Sequence, residues 1–187
     1  MPSIRCFIAL PTSPETKDMI SAIQKTLVNT DADVHWETPD KFHITLKFLG
    51  NCEPSRLSLL TAQLELLPQN VSSLRVSYNK VGAFPDEQRP RVVWIGAEPD
   101  ETLMRLQNDV ESLCERFGFE HENRAFHPHI TLGRVKGPQN MGRLTETLKS
   151  LTLEPIQAHC AHFDLVRSDL KPGGSVYTVL RSFPFQA

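Results

Sequence analysis

The chain has 187 residues, 40% of them hydrophobic and 22% charged, and 20 lysines and arginines against 22 aspartates and glutamates leave a formal charge of −2. This balance fits a soluble globular protein with one sizeable core or two small packed lobes, and it excludes collagen-like and disordered chains. No stretch approaches the roughly 18 consecutive apolar residues of a membrane-spanning helix, and near-neutrality argues against coating nucleic acid, which takes many basic contacts to phosphates. A pocket for a single phosphate stays open.

The opening MPSIRCFIALP has an apolar run too short for a signal peptide and no small-residue cleavage site after it, so Ile4 to Leu10 reads as a first strand. Ser13, Pro14 and Glu15 read as an N-cap, a first-turn proline and an acid suited to the helix dipole. Met19, Ile20, Ile23, Leu27 and Val28 then recur at helical spacing. Phe42 to Leu49 reads as a strand closed by Gly50 and Asn51, and a Leu57, Leu60, Leu64, Leu67 stripe as a helix ended by Pro68. A strand is expected over 73–82, a polar loop over 83–90, and a compact strand from Arg91 to Ala97. Leu103, Leu106, Val110, Leu113 and Phe117 form a helical face that stops at Gly118. His129 to Val135 reads as a strand, Leu144 and Leu148 mark a short helix, and two strands are expected near 156–167 and 175–182 with a turn at 171–174. Cys6, Cys52, Cys114 and Cys160 are widely spread, which suits reduced thiols in the cytoplasm rather than disulfides or a structural metal.

The chain repeats itself. His43-Ile44-Thr45-Leu46 recurs as His129-Ile130-Thr131-Leu132, an offset of 86 residues (129 − 43), and at the same offset Arg5 falls on Arg91, Phe7-Ile8 on Val93-Trp94, Ile20 on Leu106 and Leu27 on Leu113. Each half reads strand, helix, strand with the motif, then a further helix and strand. Two related lobes joined about a pseudo-twofold axis would bring the motif strands together within one catalytic domain covering 1–187.

Strand alternation gives the motif a chemical meaning. His43 and Thr45 share one face, roughly 6.5 to 7 Å apart, while Ile44 and Leu46 point to the other; His129 and Thr131 repeat the arrangement. Two imidazoles can then act as acid and base around neutrality, and two hydroxyls can donate to the nonbridging oxygens of a phosphate. In-line displacement at a phosphodiester needs this set and no metal. His127-Pro128-His129 has no carboxylate or cysteine cluster at ligand spacing. His159 and His162 would face opposite sides of one strand, and His35 and His121 read as surface residues.

The two HxTx motifs, the opening RCFIALP, and the segments FHITLKFLG, GAFPDEQRPRVVWIG, RAFHPHITLGR and YTVLRSFPF resemble the 2H phosphoesterases. Within them the similarity is to the bacterial and archaeal RNA 2′,3′-cyclic phosphodiesterases, historically called 2′-5′ RNA ligases. The resemblance implies a bilobal α+β fold, with antiparallel sheets and flanking helices around a central groove. It also implies cofactor-free hydrolysis of RNA 2′,3′-cyclic phosphate ends to 2′-phosphates. His43 would be the proton donor to the leaving 3′ oxygen, His129 the proton acceptor that activates water, and Thr45 and Thr131 the phosphate-holding residues. ATP-independent 2′-5′ joining would be the same chemistry with an RNA 5′-hydroxyl in place of water. Other 2H substrates (2′-5′ linkages, ADP-ribose cyclic phosphate) and a nucleotide-binding module without turnover are the alternative readings. The expected partners are RNA ends or small nucleotides, without membrane or obligate protein partner, for a cytoplasmic monomer.

Three further residues are candidates for substrate contact. Arg134 lies three residues after Thr131, on the opposite face of a regular strand unless Gly133 bends it; it either reaches phosphate or base or is a solvated charge. Phe84, in the expected loop, either stacks on a base or anchors the loop. Lys47 shares the face of His43 and Thr45 and either adds positive potential or is merely solvated. Phe42 and Phe48 are expected in the core with Ile44 and Leu46.

Overall fold

A computed structural model describes residues 3–71 and 74–186. In chain order the elements are β1 (Ile4–Pro11), α1 (Pro14–Val28), β2 (Val34–Trp36), β3 (His43–Cys52), α2 (Pro54–Leu64), β4 (Leu74–Phe84), β5 (Val92–Ala97), α3 (Glu101–Arg116), β6 (His129–Val135), α4 (Met141–Ser150), β7 (Ile156–Cys160), β8 (His162–Lys171) and β9 (Gly174–Pro184). The helix starts follow their caps: Ser13 accepts from Thr16 N at 3.2 Å ahead of Pro14, and Asp100 accepts from the amides of Thr102 and Leu103.

Several expected boundaries shift, and the helix expected to run on to Pro68 ends at Leu64. Residue 73, the expected start of the strand over 73–82, lies outside the described residues, and that strand runs on to Phe84, which ends β4 instead of belonging to the loop. Gly50 and Asn51 do not close β3; Gly50 takes φ +66° inside it. The expected strand over 156–167 breaks at Ala161 into β7 and β8, so His159 and His162 sit on different strands. β2, too short to leave a periodic signal, has no counterpart among the expected elements.

The strands form one antiparallel sheet in the order β7-β4-β5-β6-β3-β1-β8-β9, with β2 added on β6. The two motif strands lie side by side at its centre and meet at Ile44 opposite Ile130. β1 flanks β3 and β5 flanks β6; beyond these the halves exchange strands, with β8 beside β1 and β4 beside β5. Each lobe of this bilobal α+β fold is thus built from both halves of the chain.

One face of the sheet carries the core: Ile8, Leu10, Ile44, Leu46, Ile95, Ile130 and Leu132 pack against the buried stripes of all four helices, including Ile20, Leu27, Leu60, Leu106, Val110 and Leu144. Among the described residues the opposite face carries only a small cluster of Phe7, Ala9 and Val166 with Tyr177 against it. That second face is the groove.

A matched pair of bulges decides what enters it. Ile8 pairs with Lys47 and Ala9 with Thr45, leaving Leu46 as the extra residue; Val93 pairs with Gly133 and Trp94 with Thr131, leaving Leu132 extra. Leu46 and Leu132 are 86 apart, so both halves carry the same bulge. In the flanking strands, however, Ile8 matches Val93, an offset of 85 (93 − 8), so the sequence alignment of β1 with β5 at 86 is one residue out of register. After each bulge the alternation inverts, and Phe48 and Arg134 turn to the groove face.

Candidate active site

His43, Thr45, His129 and Thr131 are all half-buried on the groove face. With Ile44 opposite Ile130, the antiparallel register puts His43 level with Thr131 and Thr45 level with His129. The imidazoles are held alike. Nδ1 of His43 lies 2.6 Å from the Lys41 carbonyl, and Nδ1 of His129 lies 2.6 Å from the His127 carbonyl. A carbonyl oxygen only accepts, so each Nδ1 carries the hydrogen, and Nε2 is the nitrogen left to take or give a proton.

Aromatic rings set the environment of each histidine. Phe7 stacks on His43 at 4.9 Å and Tyr177 meets it edge-on at 5.5 Å. Phe84 meets His129 edge-on at 5.0 Å, and Trp94 lies 6.3 Å away. Trp94 lies over Gly82 and Gly96, where an added Cβ would come within 2.5 and 2.9 Å of its ring. Burial among these groups pushes the His43 pKa down to about 4, against the opposing pull of the Lys41 carbonyl and Glu37, and burial also lowers that of His129. Both imidazoles are therefore neutral at pH 7 in the free protein.

Arg134 faces the groove because of the Leu132 bulge, its Nε 3.8 Å from a carboxylate oxygen of Glu37. Glu37 also pairs with Lys41 at 3.3 Å and is tied to the bulge itself, its amide donating to the Leu132 carbonyl at 2.8 Å. Phe84 packs on His129 and Trp94 at the end of β4. Phe42 is buried as expected, but Phe48 is not: it is 65% exposed, its ring 6.0 Å from Phe7.

Lys47 departs furthest from expectation. The bulge turns it away from His43 and Thr45 into the helix layer, where its ammonium donates to Glu111 at 2.5 Å and to the Glu120 carbonyl at 2.5 Å. It takes no part in the groove. Its counterpart in the second bulge is Gly133, where an added Cβ would lie 2.6 Å from Val34 and 2.7 Å from Trp36, so glycine lets β2 pack onto β6. That bulge is held from α1 instead: Gln24 donates through Nε2 to the carbonyls of Leu132 and Glu37, both at 2.8 Å. Each bulge is gripped by the first helix of the other half.

Phe7, Trp94, Tyr177 and Glu37 escaped sequence reasoning. Phe7 had a usable signal, since alternation along β1 sets it with Ala9 and apart from Ile8. Among the described residues no three or more His, Cys, Asp or Glu side chains gather as a metal site, and no helix is long and apolar enough to cross a membrane.

Comparison with known proteins agrees with this fold. The family model of the 2′-5′ RNA ligase superfamily matches residues 38–172. An RNA 2′,3′-cyclic phosphodiesterase of Methanothermobacter thermautotrophicus is 34% identical over 181 residues, 96% of this chain and 98% of the relative. Among solved structures, TT0787 of Thermus thermophilus superposes with a TM-score of 0.82 at 29% identity, over 98% of each chain. LigT of E. coli complexed with 3′-AMP superposes with a TM-score of 0.80 at 25% identity, over 99% of each.

Proposed function

Because the chain belongs to the 2′-5′ RNA ligase superfamily, we propose that it is an RNA 2′,3′-cyclic phosphodiesterase, opening cyclic phosphate ends to 2′-phosphates without a metal. The observation that carries this reading is the pair of imidazoles, each fixed through Nδ1 on a backbone carbonyl and each leaving Nε2 to a shared groove. Relatives of similar length bear that activity as their name.

In the proposed reaction His129 Nε2 takes a proton from water as its oxygen attacks phosphorus. The P–O3′ bond breaks on the opposite side, and the leaving oxygen takes the proton carried by His43 Nε2. The product keeps its phosphate on O2′ and gains a 3′-hydroxyl; the histidines end with exchanged charge states and are reset by solvent. His43 is neutral in the free protein, so it takes up its proton from solvent as the substrate binds, the anionic phosphate favouring the imidazolium. Thr45 and Thr131 donate to the nonbridging oxygens, and Arg134, steered by Glu37, adds the positive charge. With an RNA 5′-hydroxyl replacing water, the same site would join ends through a 2′-5′ linkage.

Uridine 2′,3′-cyclic phosphate incubated with the protein in EDTA tests the reading, with products resolved by chromatography. Uridine 2′-phosphate is the expected product. Uridine 3′-phosphate would overturn the assignment of the leaving oxygen, and an unchanged substrate would overturn the activity.

A further inference from the structure

In-line displacement gives the groove a direction. Water enters from the His129 side, so O3′ and the ribose that carries it lie toward His43 and β1. Any nucleotides 5′ of the cyclic end must leave the site across that lobe.

The surface there continues the groove face outward. Beyond His43 comes Phe7, stacked on it, and beside Phe7 the exposed ring of Phe48. Two residues farther out along β1, roughly 6.5 to 7 Å and on the same face as Phe7, stands the exposed Arg5. Arg5 is paired across the strands with Asn51, and the two help line a cleft of about 680 Å³, together with Ser168, Leu170, Arg167 and Asp169. That volume suits a nucleotide-sized ligand. Arg167 is engaged by Asp169 at 2.8 Å, so among the described residues the cleft's uncompensated charge is that of Arg5. Although the chain as a whole is near neutral, one cation thus stands four residues along β1 from Ala9, the partner of Thr45, roughly 13 Å outward along the strand, with the aromatic rings of Phe7 and Phe48 between.

We propose that this cleft is a subsite for single-stranded RNA, in which Arg5 binds a phosphodiester upstream of the cyclic end and Phe48 underlies the terminal nucleoside. The proposal rests on the hydrolase reading for its direction. It makes the enzyme favour RNA ends over free cyclic mononucleotides, which it also opens but which lack an upstream phosphate. The class of reaction that supplies its substrate is then RNA cleavage by attack of an internal 2′-hydroxyl.

The test compares uridine 2′,3′-cyclic phosphate with the trinucleotide UpUpU bearing the same cyclic end. For both, kcat/KM is measured in the wild type and in Arg5→Gln, and the affinities of the corresponding 2′-phosphates are measured by calorimetry. The trinucleotide should be preferred by the wild type, and Arg5→Gln should shrink that preference roughly fivefold, in turnover and in product affinity alike. The log–log salt slope of trinucleotide affinity should fall by about 0.7, the signature of one lost phosphate contact. Phe48→Ala should weaken both ligands, because the terminal nucleoside is common to them. An unchanged preference or an unchanged salt slope in Arg5→Gln overturns the subsite. Loss of hydrolysis in the wild type with an Arg5-dependent trinucleotide affinity would instead overturn the catalytic reading and leave the subsite standing.

Discussion

His43 and His129 occupy matching places on adjacent strands, each held by the carbonyl two residues before it and each followed by a bulge, but the supports around them differ. His43 is wedged between Phe7 and Tyr177; His129 has Phe84 on its edge and Trp94 farther off. The first bulge is gripped by the buried Lys47–Glu111 ion pair, the second by the uncharged Gln24. The groove side of the first bulge presents Phe48, that of the second Arg134. What is duplicated is the part that fixes the proton-transfer atoms. What diverged is the part that fills the helix layer or meets the rest of a substrate, where the two ends of an asymmetric ligand ask for different things.

The equivalence of the two histidines is open to the strongest challenge. His43→Ala and His129→Ala should each lower kcat on a 2′,3′-cyclic phosphate by roughly a thousandfold, with circular dichroism spectra like that of the wild type. A variant that kept near-native kcat would show that one imidazole suffices and would break the paired mechanism.

The two grips should differ in size. Lys47→Met leaves the Glu111 carboxylate buried without its cation, with one oxygen already lacking a partner and the other keeping mainly the Glu122 amide. The expected loss of stability is about 3–5 kcal/mol, most of it recovered in Lys47→Met/Glu111→Leu, which removes both charges. Gln24→Leu strips a donor from two carbonyls and should cost about 1–3 kcal/mol. Urea denaturation measures all three; equal losses from the charged and uncharged grips would contradict the comparison.

The repeated tetrapeptide makes the catalytic pair and the central position of its strands legible in the sequence, because alternation on a strand fixes which side chains share a face. The bulges are not legible. One extra residue at Leu46 and another at Leu132 invert the alternation, which is why Phe48 reads as core and is exposed, why Lys47 reads as a groove cation and is buried, and why Arg134 on a regular strand would point away from the motif it joins. The glycine at 133 hints at irregularity in the second half; nothing comparable marks Lys47. The exchange of β4 and β8 between lobes also leaves no local trace, since strand pairing is decided by contacts far apart in the chain.

The smallest expected difference between the halves lies in how each histidine couples folding to pH. Burial holds His43 neutral down to about pH 4, whereas an imidazole in the unfolded chain takes its proton near 6.5. The groups facing it are Glu37, which favours its charged form, and His129 and Lys17, which oppose it, with Tyr177 and the Lys41 carbonyl in contact. Between these pH values the unfolded state binds more protons than the native state, so stability falls as pH drops from about 6.5 and this contribution levels off near pH 4. His129 is depressed in the same direction but less, so its share of the slope is smaller. Urea denaturation across this range should therefore show a shallower pH dependence for His43→Gln than for the wild type, with His129→Gln in between. A steeper slope for His43→Gln, or equal slopes for the two variants, would mean that the aromatic enclosure of His43 does not set it apart from its counterpart.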